Sequence, residues 1–175
     1  SAGGPAFDGW ELDFLADYIV HQHHAYVRQA LPVTRQHAEK VARVHGERHP
    51  EVVRVAAIFA EVAAELEGHM HKEEAILFPA IREMVRCRRE GRALPQLPFG
   101  SLKNPIAMME REHTSAGGGL EEIARLTNGY EPPEDACTTY RVLFQELRQF
   151  ELDLHRHVHL ENNILFPKAV RMEES

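Results

Sequence analysis

Cysteine is nearly absent from this chain, with only Cys87 and Cys137 and no CxxC pattern. Neither a disulfide framework nor a thiolate zinc site can organise such a fold. No apolar run approaches the ~18 residues that a membrane span needs, so no membrane partner is expected. The opening stretch SAGGPAFDGW has neither a basic n-region nor an apolar h-region, so it does not read as a signal peptide. Residues 1–10 are expected to form a flexible N-terminal segment, and a cytoplasmic setting is expected. Positive charge is also short, with 20 Lys and Arg against 27 Asp and Glu and a net charge of −7. That balance argues against a nucleic-acid partner. Alternating β-branched stretches scarcely occur, which removes strands from consideration.

What the chain has in excess is histidine, twelve in 175 residues. This length suits one domain with a core of its own. Gly and Pro punctuation divides it into four long segments, at roughly 11–47, 51–90, 104–128 and 134–172. Asn104 and Pro105 predict a helix start, with Asn as the cap and Pro at the first helical position. Pro32, Pro79 and Pro167 should kink or end the helices they fall in. The expected fold is all-α, an up-down-up-down four-helix bundle over residues 11–172.

One phrase occurs twice. HMHKEEAILFP at 69–79 returns as HVHLENNILFP at 157–167, 88 positions later, with seven of eleven letters kept. Each copy continues an apolar stripe of helical period. In the second segment the stripe is Phe59, Val62, Leu66, His69, Glu73, Ile76 and Ala80. In the fourth it is Leu143, Leu147, Phe150, Leu154, His157, Glu161 and Ile164. Burying an ionisable pair is costly unless the pair is satisfied or holds a metal. Positions i and i+4 share a helix face, so His69 with Glu73, and His157 with Glu161, can each aim imidazole and carboxylate at one spot. One such pair alone reads best as a buried His–Glu hydrogen bond; two copies favour a shared site.

The other helices each add a polar member to an apolar stripe. His24 lies among Val20, Val27 and Leu31, and His113 among Ile106, Met109, Ala116 and Leu120. Four imidazoles and two carboxylates exceed what one tetrahedral zinc takes. Two metal ions, each held by two histidines and bridged by Glu73 and Glu161, use every group. The donor set suits iron, with manganese or zinc as alternatives. A ferritin-type centre requires two Glu-x-x-His motifs. Only Glu110–His113 spells one, because leucines (Leu66 and Leu154) stand three residues before His69 and His157.

His24, the two repeated phrases and MEREH ending at His113 resemble the hemerythrin-like domain of the repair-of-iron-centres di-iron family. ALP at 30–32 and PPEDACTTY are similar to that family's turns, and the likeness runs from about residue 11 to residue 170. The resemblance implies that His24, His69, His113 and His157 bind two iron ions. It further implies that Glu73 and Glu161 bridge them, beside an oxo or hydroxo group. It implies repair of iron-sulfur clusters damaged by nitric oxide or oxidants, through iron donation or nitric oxide reduction. Iron-sulfur client proteins and the diatomic gases nitric oxide and oxygen are the implied partners. The alternative is a hemerythrin-like sensor or carrier of oxygen or nitric oxide, and a third reading is a di-iron reductase acting on nitric oxide or peroxide.

The chain departs from its relatives in two places. Oxygen-carrying hemerythrins place a second histidine one turn after the first on the third helix, where this chain has Gly117. Positions are thereby left open on the metals for water, an oxo bridge or a diatomic ligand. Gly117 to Gly119 either thin the third helix to make room for substrate or allow close helix packing. The vicinal cysteine pair often found in a small N-terminal domain of the family does not occur in this sequence. Glu65 and Glu112 are candidate outer partners of the imidazoles, with a solvated helix face as the alternative for each. His71, His155 and His159 are expected to face outward, and His21 to lie nearer the inward stripe than His23.

Overall fold

The computed structural model describes residues 6–175; the part of the expected flexible segment at 1–5 lies outside the described residues. Phe7–Gly9 forms a 3-10 turn, and Phe7 and Trp10 pack on each other and on Tyr18. Four helical runs follow: α1 (residues 12–45), α2 (residues 51–89), α3 (Lys103–Leu126) and α4 (residues 138–174). No strand occurs among the described residues. The result is an all-helical bundle in which α1 packs on α2 and α4, and α2 on α3.

Three of the four runs change hydrogen-bonding pattern partway. Ile19–His24 in α1, Glu73–Leu77 in α2 and Leu160–Leu165 in α4 are π turns. A π turn accommodates one extra residue, so the side chains beyond it fall out of step with a 3.6-residue stripe. The predicted stripes therefore slip in α1 and α2, whereas Ile164 of the α4 stripe is buried as expected. Ile19, not Val20, is fully buried in α1, and in α2 Ile76 is 50% exposed while Leu77 is 1% exposed. Phe78, five residues after Glu73, is buried. The same displacement corrects the histidine expectation, since His23 is buried and His21 exposed. Pro79 and Pro167 do not end their helices, because each falls in the first turn of the α segment after the π turn. There a missing N–H is tolerated. Pro32 lies inside Ala25–His45, which runs through it.

Helix α3 starts earlier than predicted. Asn104 does not cap it: its side chain donates to the Phe99 carbonyl at 3.0 Å. Lys103 N–H donates to Ser101 Oγ at 3.1 Å instead, and Glu173 from the end of α4 accepts from Leu102 N–H at 2.8 Å. A carboxylate from another helix thus satisfies a backbone donor at the start of α3.

The apolar interior is divided in two. One cluster contains Val27, Leu66, Met70, Ala116 and Leu154. The other contains Ile19, Leu77, Met109, Leu160 and Ile164. Between them lies a buried polar layer.

Candidate metal centre

That layer consists of His24, His69, Glu73, His113, His157 and Glu161, none more than 4% exposed. All six residues singled out from the sequence converge, one imidazole from each helix and one carboxylate each from α2 and α4. Glu73 Oε1 lies 3.1 Å from His24 Nε2, 3.2 Å from His69 Nε2 and 3.8 Å from His157 Nε2. Glu161 stands 2.8 Å from His113 Nε2, 3.2 Å from His157 Nε2 and 3.8 Å from His69 Nε2. The donors form two overlapping groups, His24–His157 and His69–His113, each completed by Glu73 and Glu161, with atoms inside each group within 4.8 Å of one another.

The π turns and the repeated phrase account for each other here. Two of the turns begin at or next to the carboxylates, and the Phe five residues beyond each carboxylate stacks on an imidazole of a neighbouring helix. Phe78 lies on His24 at 5.9 Å between centroids, and Phe166 lies on His113 at 6.1 Å, both 6° from parallel. The residue after each carboxylate anchors the same ring from its other edge. Glu74 accepts from His24 Nδ1–H at 3.0 Å and Asn162 from His113 Nδ1–H at 2.9 Å. Neither anchor was identified from the sequence; their position directly after Glu73 and Glu161 in the two phrases was the available signal.

Of the two outer partners expected, Glu112 accepts from His69 Nδ1–H at 2.9 Å. Lys72 and Arg28 pair with Glu112 and Glu74 respectively. Although burial raises these carboxyls, the cations and imidazoles beside them hold both below the usual carboxylate range. Glu65 has a different position. It is exposed and accepts from Ser115 Oγ at 3.0 Å, because α3 has already supplied the carboxylate that His69 takes. Glu110 is also exposed, so the lone Glu-x-x-His does not contribute to the layer.

The electrostatics are those of a site built for positive charge. Burial disfavours a charged His69, yet contacts with Glu161 and Glu73 outweigh it and push the group up to about 11. Burial likewise opposes protonation of His157, and the Glu161 carboxylate beside it raises it to about 10. Against the penalty of burial, the His157 charge and the contacts from His113 hold Glu161 well below its ordinary value. Protein groups alone leave Glu73 Oε2 and His157 Nδ1 buried without a hydrogen bond. Two ring nitrogens, His69 Nε2 and His113 Nε2, also face each other at 3.0 Å. A carboxylate oxygen orphaned in a core is costly, and a cation of imidazole and carboxylate preference fits beside it.

Fold and site together define a class of metal-binding helical protein. The chain belongs to the hemerythrin family: the model of the hemerythrin HHE cation binding domain matches residues 15–169. It is similar to the iron-sulfur cluster repair protein YtfE of Yersinia pseudotuberculosis serotype IB, strain PB1/+, at 40% identity over 93% of this chain and 67% of that protein. YtfE of Yersinia pestis strain Pestoides F shows the same identity and coverage, and YtfE of Yersinia pseudotuberculosis strain YPIII is 39% identical. No helix among the described residues is long and apolar enough to cross a membrane.

Proposed function

We propose that this chain takes part in repairing iron-sulfur clusters damaged by nitrosative or oxidative stress, through a pair of iron ions held in its buried polar layer. His24 and His157 bind one ion, His69 and His113 the other, and Glu73 and Glu161 bridge them. The observation that carries this reading is the sharing of both carboxylates between two otherwise separate groups of buried donors. The names of the YtfE relatives support the repair role. An up-down-up-down course over residues 11–172 accords with the order in which the helices pass the two apolar clusters. α1 and α3 run from the Ile19–Met109 cluster toward the Val27–Ala116 cluster, and α2 and α4 run the other way.

Iron so bound supplies redox chemistry and a source of metal for a damaged cluster. The protein groups set its terms. Four neutral imidazoles and two carboxylates leave coordination positions unfilled by the chain, and the Phe78 and Phe166 rings wall two of the imidazoles against water. The outer carboxylates Glu74 and Glu112 fix ring orientation by accepting from Nδ1–H, which leaves the Nε2 lone pairs of His24 and His69 for metal.

The decisive experiment measures iron content and optical spectrum on protein purified without added metal, then transfer of iron to an apo iron-sulfur protein. Two irons per chain, with transfer that restores cluster absorbance, is the expected result. Zinc alone would overturn the repair reading, and iron that never leaves under damage-repair conditions would overturn iron donation as its route.

A further inference from the structure

The centre is built from two copies of one arrangement, and they differ in how the outer edge of one imidazole is served. Matching the repeated phrases pairs His69 with His157, Glu73 with Glu161 and Glu74 with Asn162. Applied outward, the same 88-residue offset pairs Glu65 with Asp153. By position next to an imidazole, Glu112 before His113 corresponds to His23 before His24. Three of the four imidazoles have an outer acceptor: Glu74 for His24, Glu112 for His69 and Asn162 for His113. The fourth does not. His157 Nδ1 is buried without a partner.

Where Glu112 serves His69, the corresponding His23 cannot accept in the same way, because its ring lies flat over His157, 5.6 Å away and 13° from parallel. His23 turns its Nδ1 to Asp153 Oδ1 at 3.0 Å. The other oxygen of that carboxylate, Asp153 Oδ2, is itself buried and without a partner. Asp153 precedes His157 by four residues on α4, so the two side chains share a helix face. An orphaned acceptor and an orphaned ring nitrogen therefore stand one turn apart, held by the same histidine.

We propose that Asp153 is the outer carboxylate of His157, with His23 as the group that holds it in place. In the first half of the centre the carboxylate comes from the neighbouring helix and Glu65 is left at the surface. In the second half the roles exchange: the carboxylate one turn back on the same helix turns inward, and the residue on the neighbouring helix positions it. This rests on the reading of His157 as an iron ligand. Metal on Nε2 puts the remaining ring proton on Nδ1, and a rotation of the Asp153 carboxylate supplies its acceptor. Asp153 and His23 are positioning residues, acting on the metal only through His157.

The test uses Asp153→Ala, Asp153→Asn and His23→Ala in the full chain, each loaded with zinc for chelator competition and for nitrogen-15 NMR of the histidine rings. Loss of an outer partner typically weakens metal binding ~10–100-fold. Asp153→Ala is expected to lose that much at one of the two sites, together with the protected His157 Nδ1–H resonance. Asp153→Asn, which keeps an acceptor oxygen, should retain the resonance and most of the affinity, and it also serves if Asp153→Ala fails to fold. His23→Ala should broaden the resonance by freeing the carboxylate. Unchanged affinity and an unchanged resonance in Asp153→Ala would overturn the proposal. Failure of the parent protein to bind two ions would instead sink the reading of the centre beneath it.

Discussion

Three consecutive glycines in α3 should respond to the same substitution with opposite signs. In a helix interior Gly is about 1 kcal/mol less favourable than Ala, so Gly→Ala is stabilising wherever a methyl group fits. A Cβ at Gly117 or Gly118 would meet nothing within 4 Å, whereas one at Gly119 would lie 2.6 Å from Val62 Cγ2 on α2. Val62 is 2% exposed, and its branched side chain has little rotameric freedom with which to yield. Overpacking of this kind costs about 1–3 kcal/mol. Set against the helix gain, Gly119→Ala should therefore be neutral to about 2 kcal/mol destabilising. Gly117→Ala and Gly118→Ala should each stabilise by up to about 1 kcal/mol. Urea unfolding of the metal-free proteins measures the difference without a contribution from bound metal. Equal stabilisation by all three substitutions would refute the claim that Gly119 is required for the approach of α3 to α2. This geometry assigns the packing reading to Gly119; Gly117 and Gly118 have space beside them.

Glu73→Leu and Glu161→Leu should each lower iron from two per chain to less than one, read by elemental analysis on protein shown to be helical; two bound irons in either variant would end the bridging assignment. Metal uptake should release protons at neutral pH, because His69 and His157 in the metal-free layer are pushed up to about 11 and about 10. Affinity should accordingly rise with pH through the neutral range, and a pH-indicator titration that detects no proton release would contradict this. The same raised values stabilise the metal-free fold fully below the ordinary histidine value of 6.5, and that contribution should fade as pH climbs through about 10 to 11. Leu77→Ala should cost about 2–5 kcal/mol and Ile76→Ala less than about 1 kcal/mol, a contrast set by the π turn and checked by denaturant midpoints. Glu74→Ala should weaken metal binding ~10–100-fold by freeing the His24 ring, measured by chelator competition.

The six residues of the buried polar layer were legible because rare residue types recur there at helical spacing. His69 and Glu73, repeated as His157 and Glu161, are ionisable groups in stripes that are otherwise apolar, and His24 and His113 are the only polar members of theirs. Local spacing alone put each pair on one face. The helices, their loops and the repeated phrase followed from periodicity and from Gly and Pro in the same way.

Tertiary structure decided the rest. The π turns at Ile19–His24, Glu73–Leu77 and Leu160–Leu165 leave no mark in a hydrophobic pattern read at 3.6 residues per turn. Val20 and Ile76 were therefore placed one position, and His21 two positions, from the residues that are buried. Glu112 and Glu65 looked alike as carboxylates near imidazoles, and only the packing of α3 on α2 distinguished the one that reaches a ring from the one at the surface. Glu74 and Asn162 act across helix interfaces, as does the Glu173 contact at the start of α3. A chain read residue by residue carries the spacing within each helix, but the rotation and height of one helix against another are set by how all four side-chain surfaces pack at once.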